Sequence, residues 1–378
     1  MTEVEKMSNE LPRDAYTEFM YDELYDGAPV NPDNAEDIIA GIERTLALEE
    51  RPIFLEGLAA RLTLLGFTCQ VKDTEIMLAE VKRRYRDLLG KPCPRTVQNW
   101  IRGTVPGVTN RQNHYDLCFA LEMDEQQTAL FFQKHYLTLP FYVKNRIDAT
   151  FLYCLHYHKP YQTAVRLLEE SRSFVNQENA HTATSQIKSM ILHTDTDEAF
   201  SRYLSAHCYG NEQQFQLARQ KIKIEIERIK DHITKYDTES LLTPDRLNSA
   251  TIVELLGYRY QGRDKSGGAK LPKRFTESLP NDVTLGKIIN DEEASYELLR
   301  KTMMLLRLYN FYSETENIDH QTANENLMDF HAELDEMLFS CGFAQTYLRH
   351  PFDCLLLYFA NSFDPVTTLH SVIEYGRN

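Results

Sequence analysis

The chain has 378 residues, 42% of them hydrophobic and 26% charged, which gives it enough apolar material for a core and excludes a wholly disordered chain. Its 41 basic and 56 acidic residues leave a net charge of −15, which argues against a generally sticky nucleic-acid or anionic-membrane coat but leaves room for local basic patches. The longest apolar run, around Cys354–Ala360, is too short to span a bilayer. The opening MTEVEKMSNELPRD lacks the basic-then-apolar pattern of a secretory leader, and the seven scattered cysteines form no CxxC pair. The expectation is a cytoplasmic protein with reduced thiols, no membrane span and no zinc cluster.

In chain order, residues 1–50 hold 14 Asp/Glu against three Lys/Arg, a local net of −11. Breaks at Pro, Gly and Asn leave no clean helical period before Asn34, so 1–35 reads as an acidic, partly disordered arm. Its aromatic set, Tyr16, Phe19, Tyr21 and Tyr25, provides a means of docking. From residue 35 a helical period dominates. Helices are predicted at Ala35–Glu50, Ile53–Leu65, Ile76–Leu89, Pro94–Arg102, Asn113–Leu121 and Glu125–Tyr136, punctuated by Gly66, Gly90, Gly103 and Asp124. Val143–His156 and Tyr161–Glu169 follow the Leu139-Pro140 break. In Phe215–Ile233 the local KIKIEIE alternation suits a strand, but apolar spacings of three and four decide for a helix. After the Gly- and Lys-rich stretch Gly257–Lys273, helices are predicted at Leu285–Ile289, Ser295–Asn310, Asn324–Phe339 and Pro351–Asn361. Strand signals are few, so the fold class is all-α.

Residues 76–122 carry the clearest mechanism. A helix ends at Gly90, a short turn KPCP follows, and a second short helix, RTVQNWIRG, opens at Pro94 or Arg95. Val97, Trp100 and Ile101 can face a core, while Arg95, Thr96, Gln98, Asn99 and Arg102 face outward. Gln and Asn can pair with adenine edges, and Arg with guanine or phosphate. Eight positive charges (Lys82, Arg83, Arg84, Arg86, Lys91, Arg95, Arg102 and Arg111) oppose only Glu80 and Asp87 in residues 76–113, a net of about +6. Such a reversal inside an acidic protein is the electrostatic footprint of a DNA-contacting module.

Over residues 53–137 the chain resembles the lambda-repressor/Cro-like (Xre) helix-turn-helix family. The resemblance is carried by Thr96-Val97, Trp100 and Arg102-Gly103, with Pro106 and the helix Tyr115–Leu121 extending it. It implies that the helix before the turn braces the DNA backbone, through Arg83, Arg84 and Lys91, and that the short helix reads bases. Arg111 completes the expected DNA-binding set. A weaker echo follows in 284–306, TLGKIINDEEASYELLRKTMMLL, just after a basic stretch with a net of +5 over 258–274. Arg263, Lys265, Lys270, Lys273 and Arg274 there are candidates for a second DNA contact. The echo reads either as a second helix-turn-helix or as an ordinary hairpin with a basic loop. The expected division is thus a 1–35 arm, a 36–138 helix-turn-helix domain, a 139–240 helical domain or connector, and a 241–378 helical C-terminal domain.

Other constellations carry little chemistry. Cys154, His156 and His158 spread over different faces of a helix end, unlike an HExxH pair. HTDTD at 193–197 reads as a turn and N-cap, His207-Cys208 and His350…Cys354 lack a third partner, and GRDKSGGAK lacks the GK[ST] ending of a phosphate loop. No cofactor, metal or catalytic residue is expected. The expected function is that of a non-enzymatic, sequence-specific binder of double-stranded DNA and transcriptional regulator. A homodimer through the C-terminal helices is a further partner reading, and the alternative is a helical protein–protein adaptor reusing the same fold. The acidic arm either competes with DNA for the basic face or packs its aromatics against the C-terminal helices.

Overall fold

The computed structural model describes residues 21, 24–25, 27–50, 52–107, 111–173, 184–236, 248–256, 273–313, 315 and 320–375. Among the described residues the regular elements are helices, and the β contacts are isolated bridges, Val30 with Ser362 and Asn145 with Tyr209. The protein is all-α. The chain forms two compact units, whose described parts are 52–214 with 342–344, and 21–50 with 215–341 and 345–375.

In the second unit, α1 (Ala35–Glu50) matches its predicted span to the residue. The first unit comprises α2 (Ile53–Leu64), α3 (Thr74–Leu89), α4 (Arg95–Ile101), α5 (Arg111–Ala120), α6 (Glu125–Phe131), α7 (Arg146–His156), α8 (Tyr161–Glu170), α9 (Thr184–Leu192) and α10 (Asp197–His207). Side chains set several of these starts. Asp124 and Gln127 form a reciprocal capping box on α6, and the Asn145 carboxamide accepts from the Ile147 and Asp148 amides at the start of α7. One π-turn, Phe132–Tyr136, continues α6 and delivers Phe132 and Tyr136 to the core. Helix α7 packs on α5, and α8 on α3, so residues beyond 139 share a core with the basic segment instead of forming a separate connector.

The second unit continues with α11 (Asn211–Tyr236, from Phe215 onward), α12 (Ser249–Leu255), α13 (Lys273–Thr276), α14 (Asp282–Ile289), α15 (Tyr296–Ser313), α16 (His320–Ser340), α17 (Pro351–Ala360) and α18 (Pro365–Tyr375). Helix α11 buries Ala218, Ile222, Ile226, Ile229 and Ile233 and leaves Ile224 half exposed, the outcome that a helical period requires and an alternating strand would not give. Helix α1 packs on α17 and α18 through buried Ile38 and Ile42, which puts it with the C-terminal helices and not with the basic segment.

Part of the 1–35 arm, within the described residues 24–25 and 27–34, is seated on the C-terminal helices. Leu24 and Val30 are buried, the Val30 amide donates to the Asn361 carbonyl at 2.8 Å, and Asn361 Nδ2 donates to the Leu24 carbonyl at 2.9 Å. The rings of Tyr21 and Tyr25 stack with His331, and Tyr25 Oη hydrogen-bonds His331 Nδ1. The described aromatics of the arm therefore pack against the C-terminal helices; Tyr16 and Phe19 lie outside the described residues.

Candidate nucleic-acid interface

The α3–α4 pair is built by local rules. Gly90 ends α3 in the left-handed region at φ 68°, its amide bonded to the Arg86 carbonyl, and Pro94 enters α4 in an extended conformation. Val97, Trp100 and Ile101 are buried, as their spacing predicts. Trp100 is held among aromatic rings, with centroids 4.7 Å from His114 and 6.1 Å from both Phe54 and Tyr136. This anchor fixes the rotation of α4 and turns Arg95 and Asn99 to solvent, with Thr96 and Gln98 half-buried. Arg102, just past the helix end, is exposed and its Nε donates to Glu75 Oε1 at 3.1 Å. Gln98 does not reach outward: its Nε2 donates to the Cys93 carbonyl at 2.8 Å, tying the amide to its own turn.

Besides Gln98, three of the residues expected to contact DNA are turned to partners within the protein. Arg84 is buried and bridges Glu80 at 2.9 Å and Glu122 at 2.7 Å, tying α3 to the end of α5. Arg111 is 6% exposed; its guanidinium grips Asp148, donates to the Leu139 carbonyl at 3.0 Å and lies over the Tyr142 ring. Burial alone would lower its pKa, but Asp148 outweighs that and holds the guanidinium firmly charged. Lys91 is not a free surface cation, because its Nζ donates to Asp116 Oδ2 at 2.6 Å and to Tyr161 Oη at 2.5 Å. A charge count along the chain records that these cations exist but not where they go. Arg83 stays half exposed between Glu80 and Asp87, at 2.6 and 3.0 Å.

What remains outside is a smaller basic set. Lys82 and Arg86 lie one turn apart on the exposed side of α3, and Arg95 and Arg102 are exposed on α4 and just past it; among the described residues Lys82 and Arg95 form no ion pair, while Arg86 meets Asp87 and Arg102 meets Glu75. The sequence signal for Lys82 and Arg86 was their position next to, but off, the buried stripe Met77–Val81–Tyr85. A groove of about 440 Å³ opens here, lined by Lys82, Arg86, Gly90, Lys91, Pro92, Cys93 and Gln98. Burial pushes the Cys93 thiol up to about 11 against the pull of Lys82 and Lys91, so it is a protonated wall and not a nucleophile at neutral pH.

Of the second candidate set, Arg263, Lys265 and Lys270 lie outside the described residues, as do the side chains of Lys273 and Arg274 at the start of α13. The echo helix α14 buries Leu285 and Ile288 and exposes Asp282, Val283 and Lys287, and the exposed Asp291, Glu292 and Glu293 follow it. The outward face of α14 and its turn is thus acidic where that of α4 is basic.

The remaining constellations have structural duties. His156 Nδ1 pairs with Glu125 at 2.8 Å, His193 Nδ1 contacts the Ser189 carbonyl at 2.7 Å, and Thr196 caps α10. Asp197 takes Tyr153 Oη at 2.8 Å together with Lys159 and Arg166. Among the described residues no group of three or more His, Cys, Asp or Glu is placed to hold a metal, and no helix is long and apolar enough to cross a membrane. Comparison with protein-family models, with curated proteins and with solved structures gives no match to this chain.

Proposed function

We propose that the protein binds double-stranded DNA through α4 and acts as a transcriptional regulator. Arg95, Asn99 and Arg102 face the base edges, and the exposed cations of α3, Arg83 among them, meet the backbone. The reading rests on one observation above all. A buried tryptophan locks a short helix so that Arg95 and Asn99 point to solvent, within a basic segment of an acidic protein. Thr96 lies at the rim of that face, while Gln98 acts on the turn. Dimerisation through the C-terminal helices would pair two such faces across half-sites.

The alternative is an adaptor that presents the same surface to a protein. It draws on the inward use of Arg84, Lys91 and Arg111, which leaves fewer cations outside than the sequence contains, and on the exposed Leu64, Ile76 and Val105 of the same unit. A shift assay with duplex DNA across a salt series separates the two. The DNA reading expects log K to fall linearly with log salt, by about 0.9 per phosphate contacted. Absence of any salt-dependent duplex retention would sink it and leave the adaptor.

A further inference from the structure

The groove beside the α3–α4 turn has a chemistry of its own. Lys82 and Arg86 stand at its rim four residues apart, both exposed, and Lys91 projects from the turn between them and the first unit's core. The Lys91 ammonium is held from behind: Asp116, 1% exposed, takes one N–H and Tyr161 Oη a second, while the Tyr161 hydroxyl donates to the other Asp116 oxygen at 2.8 Å. An ammonium has three donors, so one remains for the groove. Gln98, tied to the Cys93 carbonyl, holds the opposite wall in place. The acids at the site are Asp116, masked behind Lys91, and Asp87, half exposed and shared between Arg83 and Arg86. Lys82 has no carboxylate partner among the described residues, so the rim keeps an excess of positive charge.

We propose that this groove is a phosphate-binding site, in which Lys82, Arg86 and the third N–H of Lys91 receive the oxygens of a phosphate group. Two rim cations around a pre-oriented donor suit a multiply charged oxyanion, and charge-assisted bonds to such an anion are the strong ones. At about 440 Å³ the groove exceeds a bare phosphate and falls in the range of small-molecule sites, with Gly90, Pro92 and Cys93 as its less polar wall. A phosphorylated small molecule and a backbone phosphate of DNA share this chemistry. The inference does not depend on α4 reading bases, because Arg95 and Asn99 are not among the lining residues.

Calorimetric titration of the full chain with inorganic pyrophosphate and with adenosine monophosphate tests it, alongside a duplex shift assay. Saturable pyrophosphate binding is expected, weakened tenfold or more by Lys82→Ser with Arg86→Ser and unchanged by Arg95→Ser with Asn99→Ala. Both rim side chains are exposed, so the double variant should retain its helical circular dichroism. Displacement of duplex by pyrophosphate would identify the seated group as a backbone phosphate. Tighter binding of the nucleotide without displacement would identify a small ligand. No saturable binding of either probe, or equal affinity in the double rim variant, would overturn the site. Intact pyrophosphate binding without duplex retention would remove only the DNA reading.

Discussion

The two units bury charge on a central helix in different ways. In the first, α5 carries Arg111 and Asp116, and each meets an opposite charge: Asp148 from α7 for the arginine, Lys91 from the α3–α4 turn for the aspartate. In the second, α15 carries Arg300 and Lys301. Arg300 is matched by a two-pronged pair with Asp353, at 2.7 and 2.8 Å, and Asp353 also accepts the Tyr347 amide. Lys301, wholly buried, is held by backbone carbonyls instead, Phe275 at 3.2 Å and Glu277 at 2.6 Å, above the Phe352 ring. Burial tends to raise Asp353, but Arg300 and His350 outweigh it and hold the carboxyl well below the usual range. For Lys301 burial wins over Glu297, Glu277 and Asp353, with Arg300 adding to it, and brings the ammonium down to about 8. Matched charges make a fixed strut, whereas the deep burial of Lys301 outweighs the acids around it and leaves a charge that pH can remove.

The largest effects should come from breaking the struts. Asp148→Asn and Asp353→Asn each leave a buried arginine uncompensated, at a cost of about 3–5 kcal/mol. In urea unfolding, Trp100, the single tryptophan, reports the first unit, so D148N should move the fluorescence transition and D353N chiefly the circular dichroism. An equal fluorescence shift from both variants would show that the units unfold as one.

The lysine gives the next effect, and its sign is opposite to that of a paired cation. Its pKa is about 8 folded and 10.5 ordinarily, so between those values the unfolded chain holds the extra proton and stability rises with pH. The gain amounts to roughly 3 kcal/mol across that window. Lys301→Met should abolish the slope while Lys91→Met should not; a slope unchanged in K301M would break the contrast.

Helices α4 and α14 extend the comparison to the surface. Arg95→Ala and Asn99→Ala should each cost about 1–3 kcal/mol on a cognate duplex and relax selectivity, with Lys287→Ala inert. An equal loss on random DNA would reassign Arg95 and Asn99 to the backbone. The smallest effect concerns how each helix stops. Gly103, at φ 105°, follows α4, whereas Asp291, at φ 60°, does the same after α14 and gains Lys223 at 2.8 Å. Gly103→Ala should cost about 1 kcal/mol and Asp291→Gly less, measured by thermal melting.

Periodicity made most of the fold legible, because a helix writes its buried stripe locally: Val97, Trp100 and Ile101, and the isoleucines of α11 spaced by three and four, sit where spacing puts them. Helix α18 is not legible in this way: its β-branched start Val366-Thr367-Thr368 is weakly helical by propensity, and buried Leu369, Val372 and Ile373 hold it by tertiary packing. The candidate site was half legible. Arg84, Lys91 and Arg111 resemble surface cations in sequence because their partners Glu122, Asp116 and Asp148 lie 38, 25 and 37 residues away. Only packing reveals such pairs. The exposure of Asn99 and Arg95, by contrast, follows from one tryptophan on the other face.

The seating of α1 on α17 sets an order on synthesis. The first unit leaves the ribosome almost in one run, through Gln214, and its helices find their neighbours early. Ile38 and Ile42 of α1 emerge before all of it, yet the surface that covers them begins at Pro351. At about 5–20 residues per second, the intervening stretch holds those isoleucines in water for roughly 15–60 s. The second unit therefore closes last, when α17 captures a helix made long before it, and until then the apolar face of α1 is open to aggregation or chaperone capture.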